Sequence, residues 1–161
     1  MLLRKGNFMI KVLFVCHGNI CRSPMAEFVF RDMVKKRGLS GKIETASAAT
    51  STEEIGNPVH RGTRTKLASV GISTEGKYAI RLVKADYDRY DYLVGMDSAN
   101  IRNMKIMTGG DEKIFKLLEF AGIGRDVADP WYTGDFDATY EDVVTGCTAL
   151  LDRIEGELDG N

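Results

Sequence analysis

Near its amino terminus the chain reads Val12-Leu-Phe-Val-Cys16-His-Gly-Asn-Ile-Cys-Arg22-Ser-Pro-Met-Ala-Glu27. The apolar, β-branched run before Cys16 is typical of a buried strand, and apolar residues spaced by three and four after Pro24 are typical of a helix. The residues between Cys16 and Arg22 must then form a short, curled loop. Gly18 and Asn19 tolerate the left-handed backbone that such a loop needs. The sequence therefore predicts a strand, a tight loop and a helix in direct succession.

This loop is predicted to bind an anion. A curled backbone directs several N–H groups at one point, where the following helix also presents unpaired donors and a partial positive charge. Arg22 adds a planar fork of donors that suits two phosphate oxygens. Cys16 ends the strand facing the same point, so we expect a thiolate that attacks a bound phosphoryl group. The alternative is a buried structural cysteine with Arg22 at the surface.

The chain resembles the low-molecular-weight protein tyrosine phosphatase family, whose signature is V-C-x-G-N-x-C-R-S-P. The residues that match it are Cys16, Gly18, Asn19, Cys21, Arg22, Ser23 and Pro24. The resemblance spans roughly residues 9–158 and is weak over residues 72–90. It implies hydrolysis of phosphotyrosine proteins through a phosphocysteine on Cys16, inhibition by phosphate-like oxyanions, and no need for a metal or other cofactor.

Such a reaction needs an acid that protonates the leaving phenolate and afterwards activates water. Asp129 is the best candidate, because the resemblance places the general acid in its Asp-Pro pair, although an Asp-Pro pair alone is more typical of a turn. Asp126, Asp135 and Asp137 are nearby alternatives that do not precede a proline.

The other side chains of the phosphate-binding loop receive narrower roles. Asn19 is expected to hold the shape of the loop. Ser23 either donates its hydroxyl to the thiolate, as the resemblance suggests, or caps the helix. Cys21 is either a buried residue or a reversible disulfide partner that protects Cys16. His17 occupies a variable position and is a candidate for substrate contact, although a polar structural role is the default for both histidines.

Specificity is expected to depend on Ile20, Trp131 and Tyr132. Related protein-arginine phosphatases carry threonine at the position of Ile20, so the isoleucine favours aryl phosphates. Trp131 and Tyr132 follow the Asp-Pro pair and are expected to wall the entrance, where flat rings can hold a phosphotyrosine. The alternative for both residues is packing of their loop onto the domain.

Strands and helices alternate, which predicts one α/β domain with an open, four-stranded parallel sheet and helices on both faces. The resemblance adds the strand order 2-1-3-4, with the ligand site beside the first strand, where the order reverses. The expected strands are Ile10–Val15, Ile43–Ala48, Tyr92–Met96 and Ile114–Leu118. The expected helices begin at Pro24, Asn57, Ala85, Ser98 and Ala138, with loops over residues 75–82 and 122–135.

Composition limits the classes of function. The 161 residues carry a formal net charge of −1, which argues against general nucleic-acid binding. No apolar run approaches the roughly 18 residues of a membrane span. Residues 1–8 lack the features of a signal peptide and are expected to be a dispensable leader before a domain at residues 9–161. Three cysteines without disulfide or zinc spacing favour the cytoplasm.

Two other classes of function remain open. An arsenate reductase could use the same fold and loop, but its disulfide cascade needs further cysteines, and residues 72–100 contain none. A phosphate-binding module without catalytic activity is disfavoured, because the candidate nucleophile, arginine and acid are all present.

Overall fold

The sheet consists of four parallel strands, seen here in a computed structural model that describes residues 9–160. They are β1 (Ile10–Cys16), β2 (Ile43–Ala49), β3 (Tyr92–Gly95) and β4 (Ile114–Lys116). Their order is β2-β1-β3-β4, so the predicted α/β class and strand order are confirmed. The expected leader at residues 1–8 lies outside the described residues.

Six α-helices within residues 9–160 connect and cover these strands. They are α1 (Arg22–Lys36), α2 (Arg61–Ser69), α3 (Asp86–Arg89), α4 (Ser98–Thr108), α5 (Pro130–Thr133) and α6 (Phe136–Asp159). A 3-10 helix over Leu117–Ala121 follows β4. In the described part of the chain, no helix combines the length and apolar character needed to cross a bilayer.

The two faces of β1 enter two different parts of the core, as the alternation of side chains along a strand requires. Val12 and Phe14 pack with α1 and α6, and the Phe14 ring meets Phe30 edge-on with centroids 5.5 Å apart. Leu13 and Val15 pack on the other face beside α4. Burial on both faces explains the continuous apolar run, and it fixes the end of β1, where the candidate nucleophile lies.

Helix α2 begins at Arg61, so the start expected at Asn57 is wrong. The His60 ring nitrogen Nδ1 accepts a hydrogen bond from the Gly62 N–H at 3.0 Å and thereby caps the helix. The preceding Pro58 instead forms an antiparallel bridge with Tyr78. Proline at a first helical turn is common, but here tertiary pairing overrides that preference.

The structure departs from expectation at four further places. Strand β4 ends at Lys116 rather than Leu118, because the 3-10 helix follows it at once. The expected loop over residues 122–135 contains the short helix α5, and α6 begins at Phe136 under an Asp135 cap. In the segment expected as loop over residues 75–82, the backbones of Ile80 and Leu82 hydrogen-bond to Ala49 at the end of β2. These short elements depend on partners that are distant in sequence.

Helical spacing in the sequence predicts one apolar face on α6, and at Val143, Cys147, Leu151 and Ile154 the structure buries it as predicted. The expected residues Tyr140, Val144 and Leu158 are only half-buried, and the helix also buries Thr139, Gly146 and Leu150. The buried stripe thus includes Gly146, whose missing Cβ lets α6 pack closely against Leu117 of the 3-10 helix.

Candidate active site

The candidate site lies where β1 ends and the order of the sheet reverses, which is where open parallel sheets bind ligands. Cys16 is the last residue of β1, and Arg22 is the first residue of α1. Asn19, between them, has a φ of 59°, which curls the loop. The backbone N–H groups of residues 18–22 donate to no acceptor within residues 9–160. These donors are therefore available to an anion.

Ser23 contacts the candidate nucleophile directly. Its Oγ lies 3.1 Å from Cys16 Sγ, and both residues are buried. The same Oγ accepts a hydrogen bond from Asn19 Nδ2 at 2.7 Å, which leaves the hydroxyl proton free to point at the sulfur. The alternative that Ser23 caps the helix is wrong, because Cys21 occupies the cap position and Ser23 lies inside α1.

Asn19 binds parts of the chain that are distant in sequence. Its Nδ2 also donates to Ser47 Oγ at 2.9 Å, and its Oδ1 accepts from the Ile80 N–H at 3.1 Å. Asn19 is 1% exposed, so these contacts replace water as its hydrogen-bond partners. The side chain thus ties the phosphate loop to the end of β2 and to the segment beside it.

Behind this loop lies a buried charged pair. Ser47 Oγ donates to Glu27 Oε1 at 2.5 Å, and Lys77 Nζ lies 3.6 Å from the same oxygen. Lys77 Nζ also donates to the Ser47 carbonyl at 2.8 Å. Burial lowers the pKa of Lys77, and the carboxylate of Glu27 opposes this shift. Arg31 contributes a second cation to Glu27.

Arg22 is held by three oxygens from other elements. Its Nη1 donates to Asp97 Oδ2 and to the Val127 carbonyl, each at 2.9 Å, and its Nη2 lies 3.4 Å from Asp129 Oδ2. Burial alone would lower the pKa of Arg22, but the charges of Cys16, Asp129 and Asp97 outweigh it and raise the pKa above its ordinary value. The guanidinium therefore stays charged at the base of the site.

Asp129 reaches the site from the start of α5. Its Oδ1 accepts the Trp131 N–H at 3.0 Å, and its Oδ2 faces Arg22. The alternative acids are engaged elsewhere: Asp126 binds Lys116, Asp137 binds Lys66, and Asp135 caps α6. Of these four carboxylates, the structure brings only Asp129 to the pocket.

The pocket has a volume of about 200 Å³. Its lining consists of Cys16, His17, Gly18, Ile20, Cys21, Arg22, Glu53, Glu54, Asp129, Trp131 and Tyr132. Trp131 and Tyr132 are 57% and 84% exposed and stand at the mouth. A wider groove of about 600 Å³ lies along residues 58–78, but Cys16, Arg22 and Asp129 do not line it.

The three cysteines differ sharply in environment. Burial, and then the negative charges of Cys16 and Asp129, raise the pKa of the Cys21 thiol from 9.0 to about 12. Burial alone raises the pKa of Cys147, a core residue of α6, as the sequence predicts. All three are free thiols in this structure. Cys16 alone combines a serine donor with the unpaired amides of the loop.

The two histidines lie in different places. His17 is exposed at the mouth, with Nε2 3.0 Å from Glu53 Oε2. His60 caps α2 and packs its ring between Trp131 and Phe136. Within residues 9–160, no three His, Cys, Asp or Glu side chains are grouped as metal ligands would be.

Sequence reasoning missed several residues of this site. Asp97 follows the third strand without any distinguishing local motif, and its contact with Arg22 requires β3 to lie beside β1. Glu53 and Glu54 form part of the mouth, yet nothing in their local sequence distinguishes them from ordinary surface carboxylates. Lys77 lies in the segment expected to be a loop over residues 75–82, where no role is predicted for it.

Comparisons with known proteins agree with this geometry. The model of the low molecular weight phosphotyrosine protein phosphatase family matches residues 11–159. The low molecular weight protein-tyrosine-phosphatase YfkJ of Bacillus subtilis is 45% identical over 153 residues, covering 92% of this chain and 98% of that protein.

Solved structures share the fold over nearly the whole chain. The crystal structure of YfkJ superposes with a TM-score of 0.90, covering 92% of this chain and 96% of that one. SP-PTP, a low molecular weight protein tyrosine phosphatase from Streptococcus pyogenes, is 43% identical with a TM-score of 0.80, covering 90% and 93% of the two chains. The drosophila arginine phosphatase DARP is 27% identical with a TM-score of 0.84, covering 90% and 98%.

The nucleophile loop, the strand order and these matches point to one assignment. The family model extends from β1 to the end of α6, and the YfkJ structure superposes over 92% of the chain. The chain therefore belongs to the low molecular weight phosphotyrosine protein phosphatase family and is an enzyme of that class.

Proposed function

We propose that this enzyme hydrolyses phosphotyrosine in protein substrates through a phosphocysteine on Cys16. The observation that carries the proposal is the arrangement around the sulfur. Cys16 Sγ contacts Ser23 Oγ, while the unpaired loop amides and Arg22 are available to three phosphoryl oxygens. Phosphoryl transfer depends mainly on positioning and on stabilising charge over those oxygens.

In the first step, the Cys16 thiolate forms a bond to phosphorus while the bond between phosphorus and the tyrosine oxygen breaks. Protonated Asp129 gives its proton to the departing phenolate, so neutral tyrosine leaves. In the second step, Asp129 takes a proton from water, whose oxygen attacks phosphorus and releases inorganic phosphate and the thiolate. Arg22 stabilises the phosphoryl charge in both steps.

Three features support aryl phosphates as the substrate class. Ile20 lines the pocket with an apolar side chain, and Trp131 and Tyr132 stand at its mouth. A phosphotyrosine ring can lie between these groups while its phosphate reaches Arg22. An arsenate reductase cascade is disfavoured, because within residues 9–160 the third cysteine, Cys147, is enclosed in the core away from the pocket.

The test compares a phosphotyrosine peptide with the matching phosphoarginine peptide, using the wild-type enzyme, Cys16→Ser and Cys21→Ser. We expect the wild type to prefer phosphotyrosine, Cys16→Ser to lose activity, and Cys21→Ser to keep most of it. Acid quenching and mass spectrometry should show phosphate on Cys16, and vanadate should inhibit. Full activity in Cys16→Ser would disprove the mechanism, and a preference for phosphoarginine would disprove the substrate class.

A further inference from the structure

We propose that His60 is a positioning residue, which holds the segment carrying Asp129 and Trp131 over the catalytic pocket through ring packing. The inference rests on the proposed function, because it concerns the placement of the proposed general acid. His60 lies outside the pocket lining, and its cap on α2 uses only one atom of its ring.

His60 joins three parts of the site. Its backbone N–H donates to the Ile20 carbonyl of the phosphate loop at 2.8 Å. Its Nδ1 accepts from the Gly62 N–H at 3.0 Å, which fixes the plane of the ring against α2. One edge of this ring then meets Trp131, with centroids 5.6 Å apart and planes at 72°.

The His60 ring also packs against Phe136. The two rings are stacked, with centroids 5.4 Å apart and planes at 15°. Phe136 in turn packs on a small buried cluster of Ile20, Cys21 and Ala79. A Cβ at Gly62 would lie 2.2 Å from the Phe136 ring, so this glycine is needed for the close approach. His60 is therefore held in place by its contacts with Phe136, with α2 and with the phosphate loop.

The acid segment is anchored before Asp129 by Thr139 Oγ1, which donates to the Ala128 carbonyl at 3.1 Å, and Pro130 after it is buried. Asp129 is fixed by Arg22 and by the Trp131 N–H, while α5 is only four residues long. Trp131 is 57% exposed, and within residues 9–160 its only ring partner is His60. Since the backbone N–H of Trp131 holds the Asp129 carboxylate, loss of the ring contact moves the acid if the backbone at Trp131 shifts with its side chain. Displacements of about 1 Å can cost up to about a hundredfold in rate.

Two substitutions separate the ring contact from the helix cap. His60→Asn keeps a good capping oxygen and loses the ring, whereas His60→Phe keeps a ring and loses the cap. The readout is the ratio of kcat/KM for p-nitrophenyl phosphate to that for phenyl phosphate, because the poorer leaving group depends more on the acid. We expect this ratio to rise about tenfold in His60→Asn and to stay within about twofold of wild type in His60→Phe.

Trp131 provides a second readout that does not depend on catalysis. It is the chain's only tryptophan, so its fluorescence reports directly on its contact with residue 60. We expect red-shifted emission in His60→Asn and emission close to that of wild type in His60→Phe. Urea unfolding shows whether each variant folds. If one variant fails to fold, the kcat/KM ratio and the Trp131 emission of the other variant test the proposal.

The outcomes distinguish this inference from the proposed function. The positioning role would be overturned by unchanged Trp131 emission in His60→Asn. It would also be overturned if the emission shifts but the kcat/KM ratio stays unchanged in His60→Asn, while Asp129→Asn raises that ratio. If Asp129→Asn itself leaves the ratio unchanged, then Asp129 is not the acid and the proposed mechanism fails. Shifted emission in His60→Asn would in that case still show that His60 holds the segment.

Discussion

Substitutions at Asn19 can separate two contributions to the shape of the phosphate loop, namely side-chain hydrogen bonds and backbone conformation. Its φ of 59° is unusual for a residue with a side chain, and that buried side chain bonds to Ser23, Ser47 and the Ile80 backbone. Asn19→Gly removes the bonds and keeps easy access to this φ. Asn19→Ala removes the same bonds and adds the strain of a left-handed backbone.

The magnitudes follow from these contacts. Loss of the three side-chain hydrogen bonds of Asn19 lowers the free energy of unfolding by about 3 kcal/mol, at about 1 kcal/mol for each bond. Asn19→Ala is expected to cost about 1 kcal/mol more than Asn19→Gly, because left-handed strain exceeds the chain entropy that alanine saves in the unfolded state. Such losses are a large part of an ordinary stability of about 5–15 kcal/mol.

Urea unfolding followed by circular dichroism measures both costs, and kcat/KM for p-nitrophenyl phosphate reports on the loop. Asn103→Ala is the matched control, because Asn103 lies within α4 and makes no side-chain hydrogen bond within residues 9–160; we expect it to change stability by less than about 0.5 kcal/mol. Asn19→Gly with wild-type stability and activity would refute the reasoning, since the backbone alone would then hold the loop.

Three further predictions concern the thiol of Cys21, the buried Lys77 and the closely packed Gly146. Because the pKa of Cys21 is raised from 9.0 to about 12, iodoacetamide at pH 8 should label Cys16 and spare Cys21 in mass spectra. The raised pKa of Cys21 also makes the free energy of unfolding fall as the pH rises from 9.0 to about 12, because Cys21 ionises in the unfolded chain but not yet in the folded one. Lys77→Met should cost about 1–3 kcal/mol in urea, because Glu27 loses a buried cation. Gly146→Ala should also destabilise, by about 1–3 kcal/mol, because its Cβ would lie 2.4 Å from a leucine of the 3-10 helix.

Local spacing explains why the phosphate loop could be predicted. Cys16 and Arg22 are separated by a loop too short to take many shapes, and Gly18 and Asn19 restrict it further. The strand before and the helix after follow from apolar periodicity, which reports burial directly. All four strand starts therefore agree with expectation, three strand ends differ by one residue, and α1 begins two residues earlier than expected.

Two of the errors share one cause. The start of α2 and the pairing of residues 80–82 depend on partners that are remote in the chain, whereas β4 ends early because the 3-10 helix follows it. A proline at residue 58 favours a helix start, but pairing with Tyr78 outweighs that preference. Local propensity is a weak term, and tertiary contacts override it where the two conflict.

The amino-acid sequence by itself determined the α/β class, the nucleophile loop and the family resemblance, because each depends on local periodicity or on the spacing of residues that are close in the chain. Only the tertiary structure decided which groups surround Arg22, since Asp97 and Asp129 are 75 and 107 residues away from it. It alone also placed His60 beneath Trp131. Such contacts are set by how the sheet and its connections pack, and no local pattern of residues encodes that arrangement.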